Sequence, residues 1–152
     1  MWDCFCLFFA RLGFAGKSPV MPGTSGSLLA ILLAPWIFMP QSFEWRLVTL
    51  FLVFIAGTYF CYKAEELLCA KDPQQVVIDE LWGQWIVCLP FMELSLAGYV
   101  AAFLLFRLFD ITKPWPVKYL ERFSGGFGVM LDDGMAGIYA MLVLAGLHWL
   151  FA

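Results

Sequence analysis

The sequence predicts an all-α fold: a polytopic membrane helix bundle with about five short transmembrane helices and an N-terminal interfacial or re-entrant helix. Composition, apolar runs and the distribution of basic residues lead to that prediction. Hydrophobic residues make up 62% of the 152-residue chain, charged residues make up 14%, and the mean hydropathy is +0.82. A soluble domain is roughly 45–50% apolar and about 25% charged. Since no linker, charge block or repeat interrupts the chain, residues 1–152 are predicted to form a single membrane-embedded domain.

The N-terminal segment is predicted to be a short helix that lies in the membrane interface or dips part-way into it. Residues 4–10 are apolar, but Asp3 precedes them and the first basic residue, Arg11, follows them. A secretory signal peptide has the opposite order, with basic residues before the apolar run. An interfacial helix therefore fits this segment better.

Five apolar runs predict the membrane spans, and they cover residues 28–39, 47–62, 81–92, 94–106 and 134–151. Several runs are shorter than the ~20 residues that cross a bilayer core. The helices must therefore extend beyond them and carry polar groups into the membrane edge. We expect the third helix to begin near Gln75. The fourth should continue through Asp110 until Pro114, whose ring disfavours helix in the residue before it.

The basic residues orient these spans. Five spans place the connecting loops alternately on the two sides of the membrane, and all nine Lys and Arg residues except Arg46 then fall on one side. Such a bias marks the cytoplasmic side. The net charge of −3 is too small to indicate nucleic-acid binding. The five cysteines match no metal-ligand or disulfide spacing, so we expect free thiols, mostly buried.

Four polar clusters then fall on the same predicted cytoplasmic face, at the starts of spans one, three and five and the end of span four. Charge beside hydrocarbon is costly and marks a functional site by default. Metal-assisted chemistry on a phosphorylated lipid suits these residue types best. The clusters are Pro22-Gly23-Thr24-Ser25-Gly26-Ser27, Asp79-Glu80, the segment from Arg107 to Pro116, and the segment from Gly125 to Asp133.

The acidic pairs are candidate metal ligands. Adjacent helical side chains point about 100° apart, so Asp79 and Glu80 cannot both face solvent beside an apolar run. Mg²⁺ prefers oxygen ligands and binds through one or two carboxylates plus phosphate oxygens. Asp132 and Asp133 are predicted to lie in the first turn of span five, where simple helix capping is the alternative explanation.

The other two clusters are candidate phosphate-binding elements. Arg107, Asp110 and Lys113 recur every three residues, which brings them together on a helix surface. Arginine offers a planar fork to phosphate oxygens, and Asp110 either ligates metal or orients Arg107. Thr24 or Ser27 is predicted to cap a helix whose N-terminal amides attract anions. The alternatives are a basic membrane stop and an ordinary capped turn.

Absences narrow the reaction class. The single histidine, His148, is predicted at the opposite end of the last span, so a phosphohistidine mechanism is disfavoured. No cysteine has the sequence context of a cysteine-nucleophile phosphatase, and no aspartyl-nucleophile signature is present. Carboxylate-held metal that neutralises phosphate and activates water is the remaining explanation.

Four ordered motifs also resemble the phosphatidylglycerophosphatase A family of bacterial inner-membrane lipid phosphatases, from about Gly13 to the C-terminus. The resemblance implies Mg²⁺-dependent removal of the terminal phosphate from phosphatidylglycerol phosphate, yielding phosphatidylglycerol. The motifs are Pro22-Gly23-Thr24 with Gly26-Ser27-Leu28; Asp79-Glu80 with Gly83 and Trp85; Phe106-Arg107, Phe109-Asp110 and Lys113-Pro114-Trp115-Pro116; and Gly125-Gly126, Gly128, Met130, Asp132-Asp133 and Ala136-Gly137.

The resulting hypothesis assigns a role to each cluster of a multi-pass enzyme whose active site faces the cytoplasm. Asp79, Glu80, Asp132 and Asp133 supply Mg²⁺ ligands or the catalytic base. Asp110 is a further candidate ligand. Arg107 and Lys113 hold the phosphoryl group, assisted by Thr24 and Ser27.

Two alternatives remain from the sequence. A CDP-alcohol phosphotransferase also uses aspartate-held metal at a membrane surface, but its D-G-x-x-A-R signature is only echoed by Asp133-Gly134-Met135-Ala136-Gly137. A small ion-coupled transporter places charges near the membrane midplane and often carries repeats. The charges here cluster near one interface instead.

Overall fold

The computed structural model describes residues 1–115, 117 and 125–151, and it is all-α over those residues, as predicted. We number six described α-helices in chain order, and a short 3₁₀ turn, Ala15–Lys17, lies between the first two. The helices are α1 Trp2–Ala10, α2 Pro22–Ile37, α3 Phe43–Leu68, α4 Ile78–Cys88, α5 Leu96–Thr112 and α6 Gly126–Phe151. Pro116, Lys118 and Arg122, which the sequence assigns to the third cluster and the basic face, lie outside the described residues.

Two of the described helices, α3 and α6, are long and apolar enough to cross a membrane. Helix α2 is apolar but has 16 residues. Helix α4 has 11 residues, so it is about 16 Å long at 1.5 Å per residue, roughly half a hydrocarbon core. That α2, α4 and α5 also cross the membrane therefore stays a prediction.

Helix α4 lies at the centre of the bundle and packs most closely against α6. Nearly every α4 side chain is buried. Glycines let the two helices approach: a Cβ on Gly137 would collide with the carbonyl oxygen of Gly83, and one on Gly134 would collide with the Trp82 ring. The small residues of α6 therefore form a packing face, as their helical spacing predicts.

The predicted helix ends are only partly right. Helix α5 ends at Thr112, and Lys113 takes a left-handed conformation before Pro114, as predicted. Helix α4 begins at Ile78, not near Gln75, because the preceding residues form a turn whose Val77 N–H donates to Ala10 O at 2.9 Å. Asp79 and Glu80 nevertheless lie in its first turn.

The start of the last helix was predicted wrongly. Helix α6 begins at Gly126, several residues before the start that a first turn at Asp132 and Asp133 requires. A Cβ on Gly126 would lie 2.7 Å from the Tyr62 backbone nitrogen and 2.8 Å from Cys61 Cβ. This glycine therefore serves close packing against α3 rather than a loop. Asp132 and Asp133 consequently lie more than one turn inside α6 and not in its first turn.

The far end of the bundle, where α3 begins and α4 ends, is organised around Arg46. This residue is 1% exposed. Its guanidinium donates to the carbonyl oxygens of Met39 (2.5 Å), Phe91 (2.5 Å), Gln41 (3.1 Å) and Leu89 (3.3 Å). Arg46 therefore ties the α2–α3 loop to the α4–α5 loop. The His148 ring contacts Phe91 at this end, 5.6 Å between centroids, in agreement with its predicted position.

The N-terminal segment forms the predicted helix, α1, which packs against α3 through aromatic rings. Phe9 stacks on Phe60, with 5.4 Å between their centroids. All five cysteines are free thiols, and Cys6, Cys61 and Cys88 are buried, as predicted. The membrane depth of α1 stays a prediction.

Candidate active site

The four polar clusters converge at the end of the bundle where α4 begins and α5 ends, which we call the polar end. A cavity of about 430 Å³ opens there. The predicted meeting of distant segments is therefore confirmed for the described residues. The cavity is lined by Pro19, Met21, Pro22, Gly23, Asp72, Gln74, Val76, Asp79, Glu80, Arg107, Asp110, Lys113, Asp132 and Asp133.

Three buried carboxylates form a compact group in this cavity. Asp79, Glu80 and Asp133 each offer one oxygen, and these oxygens all lie within 4.8 Å of one another. The residues are 6%, 9% and 5% exposed. One oxygen of each side chain, Asp79 Oδ1, Glu80 Oε2 and Asp133 Oδ2, has no hydrogen-bond partner among the described residues. Such a donor set fits a hard divalent cation.

The remaining predicted acids are paired with basic side chains. Lys113 Nζ lies 2.7 Å from an Asp132 carboxylate oxygen, and Arg107 Nη1 forms an ion pair with Asp110 Oδ2. The first pair joins the end of α5 to α6, while the second lies within α5. Asp132 and Asp110 stay predicted metal ligands, but the structure assigns each of them a cationic partner. These ion pairs hold the Arg107 and Lys113 side chains in position at the cavity.

The Gly23–Ser27 segment contributes less directly than predicted. Gly23 lines the cavity, and a Cβ there would collide with Glu80 Oε1 and lie 3.3 Å from Arg107 Nη1. Ser27 Oγ donates to Gly23 O at 2.8 Å and accepts from Arg107 Nη1 at 3.4 Å. Thr24 does not line the cavity, and its buried Oγ1 has no partner in the described part of the chain.

The capping prediction for Thr24 and Ser27 is wrong. Helix α2 begins at Pro22, its N-cap is Met21, and no side chain caps it. Both hydroxyl residues therefore lie inside the helix. Ser27 does not line the cavity and contacts the site through Arg107, while its role in phosphate binding stays a prediction.

Comparisons with known proteins identify the family of this chain. A family model described as phosphatidylglycerophosphatase A matches residues 8–148. The chain belongs to the phosphatidylglycerophosphatase A family.

Three relatives match this chain over most of their own lengths. Phosphatidylglycerophosphatase A of Escherichia coli is 34% identical over 144 residues, which are 91% of this chain and 82% of the relative. Phosphatidylglycerophosphatase A of Haemophilus influenzae is 37% identical over 129 residues, 84% and 79% of the two chains. A provisionally named phosphatidylinositol-3-phosphatase of Bacteroides thetaiotaomicron is 40% identical over 141 residues, 89% and 88%. No solved structure matches the chain.

Sequence reasoning missed several cavity residues of this phosphatidylglycerophosphatase A family member. Asp72 and Gln74, from the α3–α4 loop, line the cavity. Asp72 adopts a left-handed conformation with φ of 47°, and its backbone N–H donates to Glu65 Oε1 at 2.9 Å. In the sequence, Lys71-Asp72-Pro73 looks like an ordinary turn. Its proximity to the site was the available signal, since it lies just before the Asp79-Glu80 pair.

Proposed function

We propose that this protein hydrolyses phosphatidylglycerol phosphate to phosphatidylglycerol and inorganic phosphate, with Mg²⁺ as cofactor, at the cytoplasmic face of the bacterial inner membrane. Family membership and the names of the Escherichia coli and Haemophilus influenzae relatives support the substrate. The observation that carries the proposal is the cavity that combines three buried acids with Arg107 and Lys113.

The acidic group supports a cation at this site. Buried carboxylates this close repel one another when ionised, and an isolated buried charge is strongly disfavoured. A divalent cation relieves both costs, because it neutralises the acids and binds the oxygens that lack protein partners. Asp79, Glu80 and Asp133 are the residues that would hold it. When bound, Mg²⁺ would supply Lewis-acid neutralisation of phosphate charge and a more acidic bound water.

Arg107 and Lys113 support recognition of the phosphate. Both side chains line the cavity near the end of α5, and ion pairs with Asp110 and Asp132 fix their positions. Arg107 Nε is buried and has no partner among the residues that the structure describes. An anionic phosphate oxygen would satisfy it. Oriented cations of this kind stabilise the charge that develops on phosphoryl oxygens during transfer.

The same cavity supplies candidates for the catalytic base. Asp79, Glu80, Asp132 and Asp133 are predicted to share metal binding and proton acceptance from the attacking water. Lys113 Nζ donates a hydrogen bond to Asp132 Oδ2. Protonation of Asp132 would therefore weaken its pairing with Lys113, a proposed phosphate-binding residue. A base must lie within hydrogen-bond reach of the proton that it removes, and all four carboxylates line the cavity.

Phosphate release from defined lipids tests substrate, reaction and cofactor together. Purified protein is incubated with phosphatidylglycerol phosphate, phosphatidylinositol 3-phosphate or a CDP-lipid, each with Mg²⁺ or with chelator. We expect Mg²⁺-dependent release of inorganic phosphate from phosphatidylglycerol phosphate. Preferred release from the inositol lipid would assign the activity named for the Bacteroides thetaiotaomicron relative. CMP release from the CDP-lipid when an acceptor alcohol is added would identify a phosphotransferase and contradict the proposal.

A further inference from the structure

The cavity has an apolar margin that the phosphatase reaction itself does not require. Pro19, Val20 and Met21 precede α2, and we call these three residues the lip. Pro19 and Met21 line the cavity. Val20 is 70% exposed and Met21 is 57% exposed. Large apolar side chains are therefore held outside the protein interior beside a pocket whose other lining is mostly charged.

The backbone fixes the lip in this exposed position. Met21 has a φ of 51°, which is unusual for a bulky residue. Prolines at 19 and 22 restrict the chain on both sides of it, and Ser18 Oγ donates to Val20 O at 2.8 Å. Strained backbone of this kind persists where the surrounding structure enforces it, often at ligand-binding sites.

The lip continues into the apolar surface of α2. Helix α2 begins directly after Met21, and Leu28 and Leu32 are four residues apart, which places them near one face of the helix. Leu28 and Leu32 are 47% and 60% exposed. Helix α2 is apolar and the sequence predicts that it spans the membrane, so we expect this face to contact lipid chains. The phosphate cavity and the lipid-contacting surface thus meet at Met21.

We infer that the lip inserts among lipid acyl chains and guides the diacylglycerol end of the substrate along α2 while its phosphate enters the cavity. This inference rests on the proposed function for the identity of the substrate. It adds that the enzyme selects phosphate monoesters carried on a membrane lipid over the same headgroup without acyl chains. The selection arises because only the acylated substrate contacts the lip.

A selectivity measurement tests the inference. The double variant Val20→Ser, Met21→Ser is compared with wild type on long-chain phosphatidylglycerol phosphate in mixed micelles and on its water-soluble headgroup without acyl chains. We expect the ratio of kcat/KM values, lipid over headgroup, to fall on the order of tenfold, because two large apolar contacts are lost. The matched control is Met92→Ser, which removes an exposed methionine from the far end. An unchanged ratio in the double variant would overturn the inference.

A second readout does not depend on activity. Exposed Cys4 and Cys69 are replaced by serine, and an environment-sensitive fluorophore is attached at Met21→Cys or, as a reference, at Lys71→Cys in the α3–α4 loop. Lipids brominated on their acyl chains should quench the label at position 21 much more than the label at position 71. Equal quenching would overturn the inference. If wild type releases phosphate from neither compound, the proposed function fails, but quenching still decides whether the lip enters the bilayer.

Discussion

Two arginines at opposite ends of the bundle, one buried and one partly buried, have contrasting environments. Arg46, at the far end, donates to four main-chain carbonyl oxygens, and each of its three nitrogens has a partner. Arg107, at the polar end, pairs with Asp110 and contacts Ser27, while its buried Nε has no partner in the described structure. Three carboxylate oxygens nearby are equally unpartnered within the described residues.

The contrast separates structural from functional use of buried charge. A buried polar group without a partner costs free energy, so native structures satisfy nearly all of them. The far end obeys this rule and joins two loops. The polar end departs from it, and the departure is explained if the unpartnered atoms bind ligands during function. Substitutions at the far end should therefore alter stability, and those at the polar end should alter activity.

The largest effect is expected from Asp133→Asn. Removing one carboxylate charge from the acidic group should lower phosphate release on the order of 1000-fold, the size seen when a group that stabilises transition-state charge is lost. Less like-charge repulsion should leave the thermal stability of the metal-free protein unchanged or higher. The exposed Asp3→Asn variant is the control and should keep full activity. Full activity in Asp133→Asn would remove this residue from the site.

Arg46→Met should lower the stability of the protein and leave its activity unchanged, the opposite of Asp133→Asn. It leaves four carbonyl oxygens without their buried donor, so unfolding in detergent should become easier by about 3 kcal/mol or more. The kcat/KM of the molecules that remain folded should not change. The control is Lys63→Met on the same helix, which removes one member of a solvent-exposed ion pair and should leave the free energy of unfolding almost unchanged. A loss of kcat/KM without a loss of stability would break the proposed division between the ends.

Gly23→Ala tests the polar end by changing the position of a side chain and not its charge. The new methyl group would displace the Glu80 side chain without changing any charge. Displacement of a catalytic group by about 1 Å can cost up to about 100-fold in rate, so we expect a loss of at least about tenfold with the fold intact. Gly146→Ala is the matched control, because a Cβ there meets no atom within 4 Å. That variant should keep its activity and gain up to about 1 kcal/mol of stability.

The smallest effect is expected from Ser27→Ala. It removes one neutral contact to Arg107, so the KM for lipid should rise about threefold, in line with one net hydrogen bond. Ser25→Ala, on the same helix but without a hydrogen bond to Arg107 in the described structure, should leave the KM unchanged. A rise of 100-fold in Ser27→Ala would mean that this hydroxyl contacts the substrate directly.

Much of this architecture could be predicted from the sequence because composition and alternating topology are strong constraints. They place Asp79, Glu80, Arg107 and Asp133 together without any knowledge of packing. The Arg107–Asp110 pair also follows from helical spacing. By contrast, the Lys113–Asp132 pair joins residues 19 positions apart and depends on how α5 packs against α6.

Other features could not be predicted because local patterns have more than one physical cause. Gly125, Gly126 and Gly128 form a glycine-rich pattern that is typical of a loop, but Gly126 starts α6 and packs against α3. The packing role of Arg46 could not be predicted, because its carbonyl partners come from two distant loops. The role of the turn at Asp72 depends on the left-handed backbone that brings it to the cavity.

Direct measurement of divalent-cation binding tests the central claim that the unpartnered oxygens form a metal site. Calorimetry with Mg²⁺ is performed on purified wild type, on Asp133→Asn and on Arg46→Lys at a temperature where all three are folded. We predict saturable binding to wild type and to Arg46→Lys, and affinity at least about tenfold weaker for Asp133→Asn. Equal Mg²⁺ affinity in wild type and Asp133→Asn would contradict the claim.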